Sequence, residues 1–71
     1  MSNNVKSPVV GTAWKIMVAV GDAVAEGDDL MILESMKMEI PVEAEMSGTI
    51  ASIEVGEGDA VTEGQILAMI S

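Results

Sequence analysis

Between Ala13 and Val20 the chain alternates with a period of two. Trp14, Ile16, Val18 and Val20 share one parity, and Ala13, Lys15, Met17 and Ala19 take the other. This is the period of a β-strand, whose successive side chains point to opposite faces. Ala51, Ile53 and Val55 mark an equivalent face further on, and Val42, Ala44 and Met46 alternate with Glu43, Glu45 and Ser47. Leu30-Met31-Ile32-Leu33 and Ile66-Leu67-Ala68-Met69-Ile70 are instead short, continuous apolar runs. Such runs suit strands buried on both faces, although periodicity alone does not separate them from a buried helical segment. Gly21-Asp22 and Gly58-Asp59 read as turns. Glycine accepts positive φ, and the aspartate carboxylate can accept from nearby backbone amides. No stretch of about 11 residues carries a clean helical stripe, so the pattern predicts an all-β chain.

The same pattern occurs twice. Gly21-Asp22-Ala23-Val24-Ala25-Glu26-Gly27 returns as Gly58-Asp59-Ala60-Val61-Thr62-Glu63-Gly64, an offset of 37, and residues 11–34 laid on 48–71 give 11 identities in 24 positions. Each copy reads as strand, turn, strand. Neither copy can bury its apolar face alone, so each must cover the other in a pseudo-twofold sandwich or flattened barrel. Lys37 moved by the 37-residue offset lands just past Ser71 or just before Met1. A pseudo-twofold axis would therefore place Lys37 at one end of the molecule and the termini at the other.

Composition narrows the chemistry. Seventy-one residues make one small domain, spanning 1–71, and a chain of this size buries only about 60% of its unfolded surface. With no Phe or Tyr and one Trp, the core must be aliphatic. Trp14, which has no aromatic partner and corresponds to Ala51 in the repeat, is expected to pack in that core. There is no Cys and no His, hence no disulfide or thiolate metal site and no imidazole base, which fits a reducing cytosol. A net charge of −9 argues against nucleic acid or an anionic membrane as partner. The first eight residues are not a signal peptide, and no stretch approaches the roughly 20 apolar residues of a membrane span. A cytoplasmic location is expected.

Lys37 is one of only three cations, with Lys6 and Lys15, and stands between Met36 and Met38. A surface lysine in a hairpin would explain it alone. Its place at the pseudo-symmetric pole and its two thioether flanks ask for more, since exposed methionine suits adaptable recognition surfaces. The flanks share a parity opposite to that of the lysine, so they form either plugs beneath the turn or a sticky rim around the amine. A nucleophilic amine must be neutral, whereas a free lysine, with a pKa of about 10.4, is protonated at pH 7. Glu34 and Glu39 nearby favour the ammonium form. The site is thus better suited to be a substrate, acylated by a second protein, than to catalyse anything itself.

Other chemistries find little support. Asp22, Glu26, Asp28, Asp29, Asp59 and Glu63 recur with the repeat and do not form the Asp-rich loop of an EF-hand, so solvated turns account for them. The glycines do not make a phosphate-cradling loop that opens a helix.

The run from about Ser7 to Ile70 resembles the biotinyl/lipoyl attachment domain. Met36-Lys37-Met38 matches the biotinyl motif Ala-Met-Lys-Met, with Ser35 in place of the alanine. Gly21-Asp22, Val24, Glu26-Gly27, Gly48, Gly58-Asp59, Val61 and Gly64 match the turn framework, and Pro8 and Gly11 fit the opening strand. The resemblance implies a barrel-sandwich hybrid: a flattened barrel of two four-stranded antiparallel sheets with quasi-twofold symmetry, its target lysine on an exposed hairpin. It further implies that a biotin protein ligase joins biotin to Lys37 through an amide. The biotin would then carry a carboxyl group between biotin carboxylase and carboxyltransferase subunits, with Met36 and Met38 shaping recognition. The chain, expected to be a monomer in isolation, would be a carrier without catalytic activity of its own.

Two other readings stay open. Lipoyl domains of 2-oxoacid dehydrogenase systems share the fold but usually flank the lysine with Asp before and Ala or Ser after. Adaptor modules, such as the hybrid-motif domains of membrane-fusion proteins, share it without modification and have no need of a Met-Lys-Met tip. The chain also starts within a few residues of the domain and is too short for the protruding loop of some bacterial carrier subunits. It therefore reads as a free-standing attachment protein or a domain excised from a longer one.

Overall fold

The computed structural model describes residues 3–71. Eight strands follow in order: β1 Asn3–Lys6, β2 Gly11–Ile16, β3 Ala23–Val24, β4 Asp29–Ser35, β5 Met38–Glu43, β6 Gly48–Ile53, β7 Ala60–Val61 and β8 Ile66–Ile70. They form two four-stranded antiparallel sheets, ordered β1-β8-β6-β3 and β5-β4-β2-β7. The 37-residue offset carries β2 onto β6, β3 onto β7 and β4 onto β8, and it also carries Val5 of β1 onto Val42 of β5. Each sheet is therefore the image of the other, as the repeat predicts. The β-barrel is elongated, 32 × 17 × 17 Å.

Four turns close the halves on each other. In the segments 19–22, 25–28 and 56–59 the fourth residue is an aspartate whose Oδ2 accepts from the N–H of the first, at 2.8–2.9 Å. In 62–65, Gln65 Oε1 does the same to Thr62 at 3.0 Å. The third residue of each is a glycine with φ between 83 and 95°, the conformation a type II turn requires there. The turns then reach across the symmetry axis. Gly21 N–H donates to the Ile50 carbonyl and Gly58 N–H to the Ala13 carbonyl; Gly27 N–H donates to Ala44 and Gly64 N–H to Ser7. Asp22, Asp28 and Asp59 are thus turn-closing groups, and among the described residues no cluster is suited to a metal ion.

The two apolar runs are buried for a different reason from the one their composition suggests. Leu30 is an extra residue between the pairs Asp29↔Glu43 and Met31↔Val42, and Leu67 is the equivalent extra residue between Val5↔Ala68 and Lys6↔Ile66. A β-bulge of this kind turns two consecutive side chains towards one face. Leu30 and Met31, and likewise Leu67 and Ala68, are all fully buried. Ile32 and Met69 are only half-buried and Ile66 is exposed. These strands therefore have an inside and an outside, with bulges supplying the additional inward residues.

A second pair of bulges corrects the reading of Trp14. It is the extra residue between Ala13↔Leu33 and Lys15↔Ile32, as Ala51 is between Ile50↔Ile70 and Ser52↔Met69. The bulge reverses parity, so Ala13 faces inward before it and Ile16 after it, while Trp14 turns out and is 48% exposed. Its ring lies outside the core, with Lys15 Nζ 5.8 Å from the ring centroid. Val20 is exposed too, because it occupies a corner of the 19–22 turn. Pro8, expected in an opening strand, lies in the bend between β1 and β2. The core is aliphatic: Leu30, Met31, Leu33, Ile50, Val61, Leu67 and Ile70 are the largest side chains removed from solvent. Burying each of them stabilises the fold by roughly 1.5–3 kcal/mol.

Candidate functional site

Strands β4 and β5 make the one long hairpin of the second sheet, and its loop has just two residues. Ser35 pairs with Met38, and Met36 and Lys37 form the turn between them. Both turn residues have positive φ, 52° for Met36 and 65° for Lys37. Left-handed backbone at both central positions is what the type I′ hairpin turn demands, because its twist matches that of the flanking strands. Asn-Gly normally fills those positions. An L-residue with a full side chain costs roughly 1–2 kcal/mol at each. The chain thus holds Met36 and Lys37 in a conformation their own preferences oppose.

The surroundings explain how it is held. At Gly11, the start of β2, an added Cβ would fall onto the Glu34 carbonyl oxygen and lie 3.2 Å from Ser35 Cβ. Only glycine lets β2 run this close beside the arm of the hairpin. The Ser35 hydroxyl then donates to the Val10 carbonyl at 2.7 Å. The hairpin is therefore pinned to the β1–β2 connection immediately below its turn. Residue pattern alone did not reveal this bond; the signal was Gly11, whose need for close approach becomes legible only once Glu34 is known to lie opposite.

All three candidate residues come together at this tip. Lys37 is exposed, Met36 is 92% exposed and Met38 65%. The methionines are therefore a rim around the amine rather than plugs beneath the turn. Val10, 64% exposed, adds a further apolar side chain at this end. Glu34 and Glu39 pair across β4 and β5, both exposed, and leave an acidic band behind the apolar rim. Met36, Lys37 and Met38 all stand open to solvent. A shallow groove of about 430 Å³ lies elsewhere, between β1 and β5, lined among others by Val5, Pro8, Pro41 and Val42. An exposed amine on a fixed turn fits a group attached covalently.

The family model described as biotin-requiring enzyme matches residues 3–70. The chain belongs to the biotin/lipoyl attachment family. Members similar to it include a biotinylated protein TB7.3 homolog of Mycobacterium leprae, 39% identical over 71 residues and covering 100% of both chains. A biotin carboxyl carrier protein of Streptococcus mutans is 48% identical over 46 residues, 65% of this chain and 35% of its own. Among solved structures, the urea carboxylase of Kluyveromyces lactis superposes with a TM-score of 0.94 at 38% identity, over 100% of this chain and 6% of that one. The chain thus spans about a third of the streptococcal protein and a small part of the carboxylase. The pseudo-twofold β-architecture is what the repeat leads one to expect, and the two four-stranded sheets are what the resemblance to this family implies.

Proposed function

We propose that this chain is a biotin carboxyl carrier, a single attachment domain over residues 1–71 that is acylated on Lys37. The observation that carries the reading is the tip itself: Lys37 in a two-residue turn, exposed, between methionines that are 92% and 65% exposed. In this role a biotin protein ligase delivers biotin as its acyl-adenylate. The Lys37 amine, deprotonated on the ligase, attacks the acyl carbon, an amide forms, and adenylate leaves. Attached biotin supplies a ureido nitrogen that can take up a carboxyl group at one enzyme and release it at another.

The chain's own part is positional. The pinned turn fixes where the tether begins, the glycine-lined approach of β2 keeps the turn from swaying, and the methionine rim offers adaptable apolar contact to each partner. Tethering raises the effective concentration of the carried group near its partners into the millimolar range without any new contact. Biotin carboxylase and carboxyltransferase subunits are the partners this reading requires. It places the chain in the cytoplasm as a monomer; mutual repulsion at a net charge of −9 favours the latter.

Intact mass after incubation with a biotin protein ligase and, separately, a lipoate ligase tests the proposal. One biotinyl group, mapped to Lys37 and lost in Lys37→Arg, is expected. A lipoyl adduct instead would move the chain to the 2-oxoacid dehydrogenase systems. An unmodified chain, with both ligases active on control domains, would leave it an adaptor. Acylation that persists on Lys6 or Lys15 in Lys37→Arg would remove Lys37 from the centre of the account.

A further inference from the structure

The β2–β4 register pairs Ala13 with Leu33 and Thr12 with Glu34. Extended by one row, it sets Gly11 opposite Ser35, with Val10 in the bend just before β2 and Met36 in the turn just after β4. The close approach of Gly11 to Ser35 and the hydrogen bond from the Ser35 hydroxyl to the Val10 carbonyl agree with that extension. Val10, 64% exposed, is thus tied through its carbonyl to the residue that immediately precedes Met36 and Lys37.

The scaffold itself does not ask for valine there. Under the 37-residue offset the equivalent of Val10 is Ser47, which is also exposed, and that half of the barrel folds with a hydroxyl in the same place. An apolar side chain held in solvent, at the acceptor end of the molecule and not in its mirror position, calls for a contact outside the chain.

We propose that Val10 is a third apolar contact of the lysine tip, read by the ligase that acylates Lys37. This rests on the carrier reading given above. The ligase is the occupant because it must bring an acyl-adenylate to an amine on a flexible four-carbon stem, so its surface has to close over the turn and the row beside it. Val10, Met36 and Met38 then form one continuous apolar rim, with the Glu34 and Glu39 carboxylates behind it.

The test is steady-state biotin transfer from a biotin protein ligase to the unmodified chain, with biotin and ATP saturating. Val10→Ser, which copies the residue of the other half, should raise KM for the acceptor about tenfold, the loss expected when a buried valine contact is removed. Its kcat should stay within about twofold, the signature of lost binding rather than lost chemistry. Val10→Ile should keep the wild-type KM. Reaction of Lys37 with a small amine-reactive acylating reagent should be the same in all variants, since the amine itself is untouched. An unchanged KM for Val10→Ser overturns the proposal, as does a fall in kcat alone. A wild-type chain that accepts no biotin overturns the carrier reading, and this inference falls with it.

Discussion

Glu34 and Glu39 stand directly opposite each other on β4 and β5, one row behind the Ser35–Met38 pair that closes the lysine turn. Like charges in this cross-strand relation are destabilising, by roughly 0.2–1 kcal/mol. Glu39→Gln should therefore raise stability by a few tenths of a kcal/mol in low salt, measured by urea denaturation. The gain should shrink towards zero at about 1 M salt, where screening acts over roughly 3 Å. A gain that persists in high salt would assign the effect to something other than repulsion.

The turn offers a larger change. Asparagine tolerates left-handed backbone far better than methionine, so Met36→Asn should stabilise the fold by about 1 kcal/mol. For a domain of this size that corresponds to a rise in Tm of roughly 4–8 °C. The same variant should be a poorer partner for enzymes that handle the lysine, because it removes a methionine that is 92% exposed. Thermal unfolding checks the first half and acylation kinetics the second. A Tm that stays or falls would mean that the hairpin relieves the turn's strain by other means.

Gly11 and Gly48 are equivalent under the repeat, yet their replacement should not have equivalent consequences. An added Cβ at Gly11 runs into the Glu34 carbonyl; at Gly48 it would lie 2.5 Å from the Ser71 carbonyl oxygen and 2.7 Å from Ile70 Cγ2. Either alanine should cost about 1–3 kcal/mol, as overpacking does. Only Gly11→Ala should also slow acylation of Lys37, since it displaces the arm that bears the turn. Equal acylation of the two variants, measured well below their melting temperatures, would separate the turn's position from β2.

Trp14 lies outside the core, so Trp14→Ala should shift stability by less than about 1 kcal/mol, within the range of surface substitutions. Leu30→Ala, at a fully buried bulge, should cost roughly 2–5 kcal/mol. Acrylamide quenching of the single tryptophan's fluorescence should be strong in the native protein. A loss of several kcal/mol in Trp14→Ala would return that ring to a structural role.

The legible and illegible parts of this fold divide along a physical line. The sheets, the twofold relation and the lysine's position could be read because Gly21-Asp22 and Gly58-Asp59 repeat with one offset and because Lys37 falls where that offset runs off the chain. The strand β1 was hard to see, since Asn3-Asn4-Val5-Lys6 has a single apolar residue and gains its place by pairing with β8. Trp14 was misassigned for a related reason. Alternation assigns faces correctly only while register is unbroken, and a bulge leaves no mark in the alternation of one strand taken alone. The bulges at Leu30 and Leu67 likewise made two-faced strands look buried throughout. The pin from Ser35 to Val10 joins residues 25 apart in sequence, and no local pattern encodes such a contact.

The strand order has one more consequence, for how the protein comes into being. β8 lies inside its sheet, between β1 and β6, although it is eighth in the chain. A chain growing on the ribosome has made β1 and β6 well before the strand that joins them exists. β7, in turn, pairs with β2 and so completes the edge of the very sheet that bears the lysine hairpin. Sequence-distant pairings of this kind form late. A chain cut short before β8 would consequently carry the Lys37 hairpin without the completed other sheet that covers it. The residues that hold the Lys37 turn, Val10, Gly11 and Ser35, all belong to the first half of the chain, whereas the sandwich behind them closes only when β8 has paired with β1 and β6.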